Sequence, residues 1–330
     1  MDFMDILTTG VRGMLGPEAA AYALAAIGLN MHFGYTGLLN FGQVGFMLVG
    51  AYGVAVSVAT FGLSLWVGVL MGIVCAVILA FILGVPTLRL RGDYLAIATI
   101  AAGEVLRYIY RSGYAEPVTG GVYGLRQFAD SFFDLNPYPL GSVSVGPIVF
   151  DTRTLWVMTI GWGLVVLASI MTFLLIRSPW GRVLRSIRED ELAARSLGKN
   201  VYGFKMQSLV LGGVLGAFGG MLLAISTQSV TPDNYDPKVT FYLFAILILG
   251  GASRIMGPIL GSLIFWFVLT VLDAFLRGNI ASGGFFSLFL KASDIGAVRI
   301  AFVGLILIIL MLFRPAGILG NRKELRLDVQ

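Results

Sequence analysis

What most constrains this chain is a recurrence of apolar runs, most of them long enough to carry an α-helix through bilayer hydrocarbon, about 20 residues. They fall near Pro17–Phe33, Leu38–Thr60, Ser64–Pro86, Tyr94–Tyr110, Leu155–Ile176, Phe204–Ile225, Thr240–Gly251, Pro258–Leu276 and Ile295–Phe313. Charged residues make up only 12% of the sequence, about half the share in a soluble domain. Hydrocarbon offers no hydrogen-bond partners, so backbone crossing it must satisfy itself as helix or closed barrel. Runs of this length read as helices. The expected fold is an all-α polytopic membrane protein with about nine spans (roughly eight to ten), some discontinuous, forming one transmembrane domain over residues 1–330. Met1–Gly16, carrying Asp2, Asp5 and Arg12, lacks the basic stretch and apolar core of a cleavable signal. Thr240–Gly251 is short for a span and reads as a half-helix or as running past Gly251 into the next segment.

Orientation follows the Lys/Arg bias. Arg177, Arg182, Arg185, Arg188, Arg195, Lys199 and Lys205 crowd one loop, Arg89 and Arg91 share a short turn, and Arg314, Arg322, Lys323 and Arg326 crowd the end. Placing all three in the cytoplasm puts the N-terminus outside and the tail 314–330 inside. Residues 111–153, without positive bias, and Thr227–Lys238, with Asp233 and Asp236, then fall outside.

Four features need more than a membrane helix. The stretch from Gly34 to Gly45 carries Gly34, Gly37, Gly42 and Gly45 with Tyr35, Thr36, Asn40 and Gln43 in an otherwise apolar setting. It reads as a tight turn followed by small-residue packing faces, or as a helix interrupted within the membrane whose free backbone groups line a pathway. The loop 177–205 has Pro179 and Gly181 at its entry and Gly198 where a helix would stop. Val183, Leu184 and Ile187 share a face at helical spacing and Leu192 extends it, with Arg185, Arg188, Glu189 and Glu191 elsewhere around the helix. That predicts one short amphipathic helix over Arg182–Leu197. Its interleaved Glu189, Asp190 and Glu191 suit a protein groove better than simple attraction to lipid. Glu104 lies at membrane depth with Arg107 three residues on, so they pair on one helix face or line a pathway; Asp273 and Arg277 pose the same choice. Finally, Leu249–Ser262, with Gly250, Gly251, Gly257 and Pro258, reads as a tight turn or as a break between two helical pieces.

Absent motifs narrow the function. One histidine, His32, and one cysteine, Cys75, cannot build a multi-residue metal centre, and Cys75 reads as apolar filler. No phosphate-binding loop, nucleophile elbow or cofactor fingerprint occurs, so neither enzyme activity, resident cofactor nor ATP hydrolysis by this chain is expected. The net charge of +5 is placed for membrane topology, not for nucleic acid.

These residues carry a resemblance. Gly34-Tyr-Thr-Gly-Leu-Leu-Asn-Phe-Gly-Gln, Leu90-Arg-Gly-Asp-Tyr-Leu-Ala, Gly103-Glu-Val, Thr119-Gly-Gly, Ser178-Pro-Trp-Gly-Arg through Gly198, Gly257-Pro and Arg314-Pro-Ala-Gly occur in order from about Ala23 to Gly320. The chain resembles the LivM-type permease subunit of branched-chain amino acid ABC importers. The resemblance implies a bacterial plasma (inner) membrane protein working with a second, LivH-type permease, two cytoplasmic ATP-binding subunits and an extracytoplasmic substrate-binding protein, in contact with membrane lipid and moving an amino acid. It also implies that Trp180–Gly198 is the coupling helix that docks on the ATPase, with Arg182, Arg185, Arg188, Glu189, Glu191, Ala193, Ala194 and Gly198 as its candidate residues. Ala193, Ala194 and Gly198 fit the importer pattern Glu-Ala-Ala-x-x-x-Gly, whereas Glu191 falls one residue early. The pathway candidates are Tyr35, Thr36, Asn40, Gln43, Glu104 and Arg107. Competing readings are an importer of urea or short-chain amides, an ion-coupled secondary transporter using Glu104 and Asp273, and a non-transporting scaffold.

Overall fold

A computed structural model describes residues 3–90, 92–139, 141–145, 148–281, 291–313 and 317–320. Arg91 and the tail cations Arg314, Arg322, Lys323 and Arg326 lie outside the described residues.

The helices are α1 (Phe3–Leu15), α2 (Pro17–Leu29), continued by a π-helical turn Asn30–Thr36, α3 (Gln43–Ala59), α4 (Leu65–Thr87), α5 (Gly92–Arg111), α6 (Glu116–Thr119), α7 (Asp130–Asp134), α8 (Thr152–Arg177), α9 (Pro179–Glu189), α10 (Glu191–Ser196), α11 (Val201–Thr227), α12 (Pro237–Gly250), α13 (Gly257–Ala281) and α14 (Ile295–Phe313). α4, α8, α11 and α13 are each long and apolar enough to cross a membrane; α3, α12 and Ile295–Ile306 are shorter apolar helices. Each predicted run therefore contains a helix. The region before Pro17, not expected to be a span, forms α1, whose Gly10 and Gly13 lie against Phe267, Thr270 and Val271 of α13.

Local chemistry starts these helices. Proline, whose fixed φ and missing amide suit a first turn, opens α2, α9 and α12 at Pro17, Pro179 and Pro237. Asp151, Asn200 and Asp236 cap α8, α11 and α12, their side chains accepting from the amides of Arg153, Gly203 and Lys238.

The core is the contact of α11 with α2 and α3. Between helices in lipid the gain is close packing rather than water release, so small residues set how near they come. α11 presents Gly212, Gly216 and Gly219 to α2 and α3: a Cβ on Gly219 would sit 3.0 Å from that of Ala25, and one on Gly212 would overlap the His32 ring. Outward faces of α4 and α8 carry Trp66, Leu70, Ile78, Ile82, Leu167 and Leu174, exposed as lipid contact requires.

The two ends of α11 mark the two ends of the molecule. At one end lie α9, α10 and the loop 251–256. At the other, residues 112–139, 141–145, 148–151 and 228–236 form a cap. There, β1 (Leu125–Arg126) pairs antiparallel with β4 (Ser229–Val230), and β2 (Ser142–Val145) pairs antiparallel with β3 (Ile148–Asp151). The two predicted outer segments are thus joined through one ladder.

α12 ends at Gly250 and does not run on: Gly251 (φ 107°) turns the chain, and α12 and α13 pack with Gly250 against the Gly257 carbonyl. The amides of Ile318 and Leu319 donate to the Leu249 and Gly250 carbonyls at 3.0 and 3.1 Å, closing that helix end. Within the segment 249–262 the turn is residues 251–256, between two close helices.

Candidate functional site

Between α2 and α3 the chain leaves helical geometry inside the protein. The π turn ends on Gly37 (φ 75°), residues 38–42 are irregular, and α3 starts at Gln43. The helix is interrupted here, and Gly45, Gly50 and Gly53 of α3 face neighbouring helices as packing glycines would.

Freed backbone groups need partners where water is absent. The Leu38 amide donates to the His32 carbonyl at 2.8 Å. The Phe41 amide donates to Thr99 Oγ1 on α5 at 3.0 Å, the Gly42 amide to Asn40 Oδ1 at 2.9 Å, and the Val44 amide to Thr240 Oγ1 on α12 at 3.1 Å. The Met31 carbonyl accepts from Thr36 Oγ1 and Ser208 Oγ at 2.9 and 3.0 Å.

Asn40 and Gln43 organise the rest. Because Asn40 Oδ1 faces an amide, its Nδ2 must point to His32 Nδ1, 3.0 Å away, and to Gln43 Oε1 at 3.2 Å. His32 Nδ1 is then an acceptor, so Nε2 carries the proton and donates to the Leu209 carbonyl at 3.2 Å. Gln43 Nε2 donates to the Ala25 and Gly212 carbonyls at 3.3 and 3.1 Å. Asn40 is 1% exposed and Gln43 0%, and Tyr35 and Thr36 are equally buried. These four pathway candidates therefore present no side-chain surface in this conformation, because the break consumes the polar atoms of Asn40 and Gln43.

Glu104 and Arg107 sit elsewhere, on α5. Arg107 donates to both Glu104 oxygens at 3.0 and 2.8 Å and also reaches Asp233 Oδ1 at 2.9 Å; Arg111 reaches the same atom at 3.2 Å. The expected pair is thus part of a cluster that ties α5 to the 228–236 segment. It opens outward: Glu104 lines a concavity of about 620 Å³ on the exposed α5 face with Ala101, Val105, Tyr108, Ile109 and Ser112. Asp273 pairs with Arg277 at 2.7 Å, with Arg299 at 3.4 Å.

The expected single helix Arg182–Leu197 is two helices. Asp190 takes an extended conformation (φ −151°, ψ 106°) and caps α10 by accepting from the Ala193 amide at 2.9 Å. The kink rotates everything after it. Leu184 and Ile187 are buried as predicted, but Leu192, expected on their face, is 72% exposed, and Leu197 is 78% exposed. Arg182, Arg185, Glu189, Ala193 and Gly198 are exposed, whereas Ala194 is buried. Glu191 binds Arg195 at 3.1 Å and Lys205, both in this chain. Arg188 is also exposed as a residue, yet its guanidinium reaches the Gly34 carbonyl at 2.6 Å and Ser253 Oγ.

The family described as the permease component of a branched-chain amino acid transport system matches residues 18–313. The chain belongs to this family. LivM, the high-affinity branched-chain amino acid transport system permease protein of Escherichia coli (strain K12), is 29% identical over 318 residues, covering 93% of this chain and 69% of that protein. A probable LivM of Methanocaldococcus jannaschii is 25% identical over 339 residues, 91% of each chain. The nucleoside ABC transporter permease protein NupC of Lactococcus lactis is 27% identical over 240 residues, 69% of this chain and 71% of that one. The chain is therefore a multi-pass membrane permease subunit, and the break, the α5 cluster and α9–α10 all lie inside the matched region.

Several residues of the site escape a reading by sequence. Asn30, Thr99, Ser208, Thr240 and Ser253 look like isolated polar residues, yet all hold the break or its neighbours. Their one signal is polarity within an apolar stretch. Asp233 is legible as an outer acid but not as the partner of Arg107.

Proposed function

We propose that this chain is one of two membrane subunits of an ATP-driven importer of branched-chain amino acids, folded as a single transmembrane domain. The observation that carries this reading is the family match over residues 18–313, whose relatives include LivM permeases. The second permease, two ATP-binding subunits and a substrate-binding protein are the partners such a subunit requires. α9 and α10 face the cytoplasm, the cap faces outside and receives the binding protein, and the chain starts outside and ends inside. The kinked surface Arg182, Arg185, Glu189, Leu192, Ala193, Leu197 and Gly198 docks on the ATPase. The exposed α5 face around Glu104 borders the pathway. Tyr35, Thr36, Asn40 and Gln43 act on it indirectly, by shaping the break.

The test is uptake by proteoliposomes holding the full importer. Labelled leucine accumulating with ATP, and surviving an ionophore, supports the reading; uptake that ignores ATP and collapses with the ionophore replaces it with an ion-coupled transporter. The nucleoside permease relative favours a second substrate class, so competition by a nucleoside rather than by isoleucine or valine would reassign the cargo. Leu192→Asp, at an exposed position, is expected to lose the ATPases on co-purification while the permease pair stays folded.

A further inference from the structure

We propose that Arg188 is a positioning residue that straps the ATPase-facing helix to the intramembrane break, and that it does not dock on the ATPase. The proposal rests on the coupling assignment above. α9 buries Leu184 and Ile187 on its inner side, apolar and non-directional contacts that permit sliding, and near its start Trp180 Nε1 donates to Gln207 Oε1 of α11 at 2.7 Å. Arg188, near its other end, adds a directional contact to the break. Its Nη1 donates to the Gly34 carbonyl at 2.6 Å and meets Ser253 Oγ, which itself donates to Gly34 at 2.7 Å. The Ser253 amide donates to Asn30 Oδ1 at 2.9 Å, and Asn30 Nδ2 donates to the Arg254 carbonyl at 2.9 Å. One guanidinium thus locks three segments, α9, the π turn and the loop 251–256, which lie 65 to 219 positions apart in sequence at these contacts.

Two backbone features show the junction is built for this contact. Ser253 holds φ 64°, a left-handed conformation unfavourable for a residue with a Cβ and kept only where surroundings enforce it. Gly37, the last point before the irregular segment, lies against the Arg188 side chain: a Cβ there would be 3.3 Å from its Cγ. A rigid displacement of α9 therefore either breaks the charge-assisted hydrogen bond to the carbonyl of buried Gly34 or carries Gly34 with it. Carrying Gly34 moves the start of residues 38–42, whose Phe41 is pinned to α5 at Thr99 and which lead into Val44 of α3, pinned to α12 at Thr240. Arg188 is thus where a push on α9 becomes a change in the break.

The experiment compares the wild-type importer with Arg188→Gln, Arg188→Lys and Ser253→Ala in proteoliposomes, with amide hydrogen exchange of residues 38–42 in the same complexes. Expected for R188Q are intact co-purification of the ATPases, uptake lowered about tenfold, in the range of coupling between linked sites, and faster exchange across 38–42. R188K, keeping the charge and one donor, restores part of both, and S253A is intermediate. Loss of the ATPases from the R188Q complex would show that Arg188 docks on them, and unchanged uptake and exchange would show that the strap transmits nothing; either overturns the proposal. Absence of ATP-driven uptake in wild type would instead remove the functional reading, leaving the exchange comparison to decide the strap.

Discussion

The break between α2 and α3 and the Glu104–Arg107–Asp233 cluster are both polar groups set in an apolar body, and they are built in opposite ways. At the break, Asn40 and Gln43 are 1% and 0% exposed and their hydrogen-bonding atoms are spent on the same chain. At the cluster, the Glu104 side chain is 29% exposed and that of Asp233 48%. A sealed network cannot exchange partners without loss, because each freed group would be left bare in a medium of low polarity. An open one can, since water or a ligand replaces what is given up. The comparison separates a sealed break, whose polar atoms hold backbone, from a cluster that solvent reaches.

The largest effect that could break this contrast is expected from Asn40→Ala. It strips the Gly42 amide, His32 Nδ1 and Gln43 Oε1 of their partners at once. At about 1–3 kcal/mol for each buried group left unsatisfied, a loss of roughly 3 kcal/mol or more is expected, read as a large drop in thermal midpoint of the purified protein. A midpoint near wild type would mean that water reaches the break. Thr99→Val and Thr240→Val keep shape and remove one acceptor each, from Phe41 and Val44, for about 1–2 kcal/mol apiece. Made together, they sharpen the picture if their costs exceed the sum, because both pin the same short segment.

Asp233→Asn is expected to change stability by less than about 1 kcal/mol, as exposed ion pairs do, yet to lower binding-protein-dependent uptake. A stability loss as large as that of N40A would erase the distinction between the two regions. Smallest is the response to salt. Raising ionic strength from about 0.01 to 0.15 M shortens the screening length from about 30 to 8 Å, so the thermal midpoint of wild type should shift slightly and that of D233N less. The break, with no ionised side chain at Asn40 or Gln43, should not contribute to that shift.

Much of the helical layout was legible because its causes are local. Each apolar run in the reading contains a helix, Gly34–Gly37 was visible as a turn or interruption, and Gly198 (φ 76°) stands where a left-handed stop was expected. The kink at Asp190 was not legible. The same residue serves in a helix interior with neighbouring charges or as a cap, and helical spacing alone carried Leu192 onto the wrong face. The helix before Pro17 was passed over because Asp2, Asp5 and Arg12 hid a segment that packs on α13 rather than spanning alone.

Of the site, sequence marked the chemistry but not its use. Asn40, Gln43, Glu104 and Arg107 stood out for polarity in apolar surroundings, and only packing separated a sealed pair from an open one. The sequence by itself determined that this chain lives in a membrane as helices, because hydropathy and period are properties of neighbours along the chain. The tertiary structure alone decided which distant groups satisfy the broken backbone beside its local partners. Those distant groups, Thr99, Arg188, Thr240 and Ser253, lie 58 to 219 positions from the groups they hold, and no local pattern encodes a hydrogen bond across that distance.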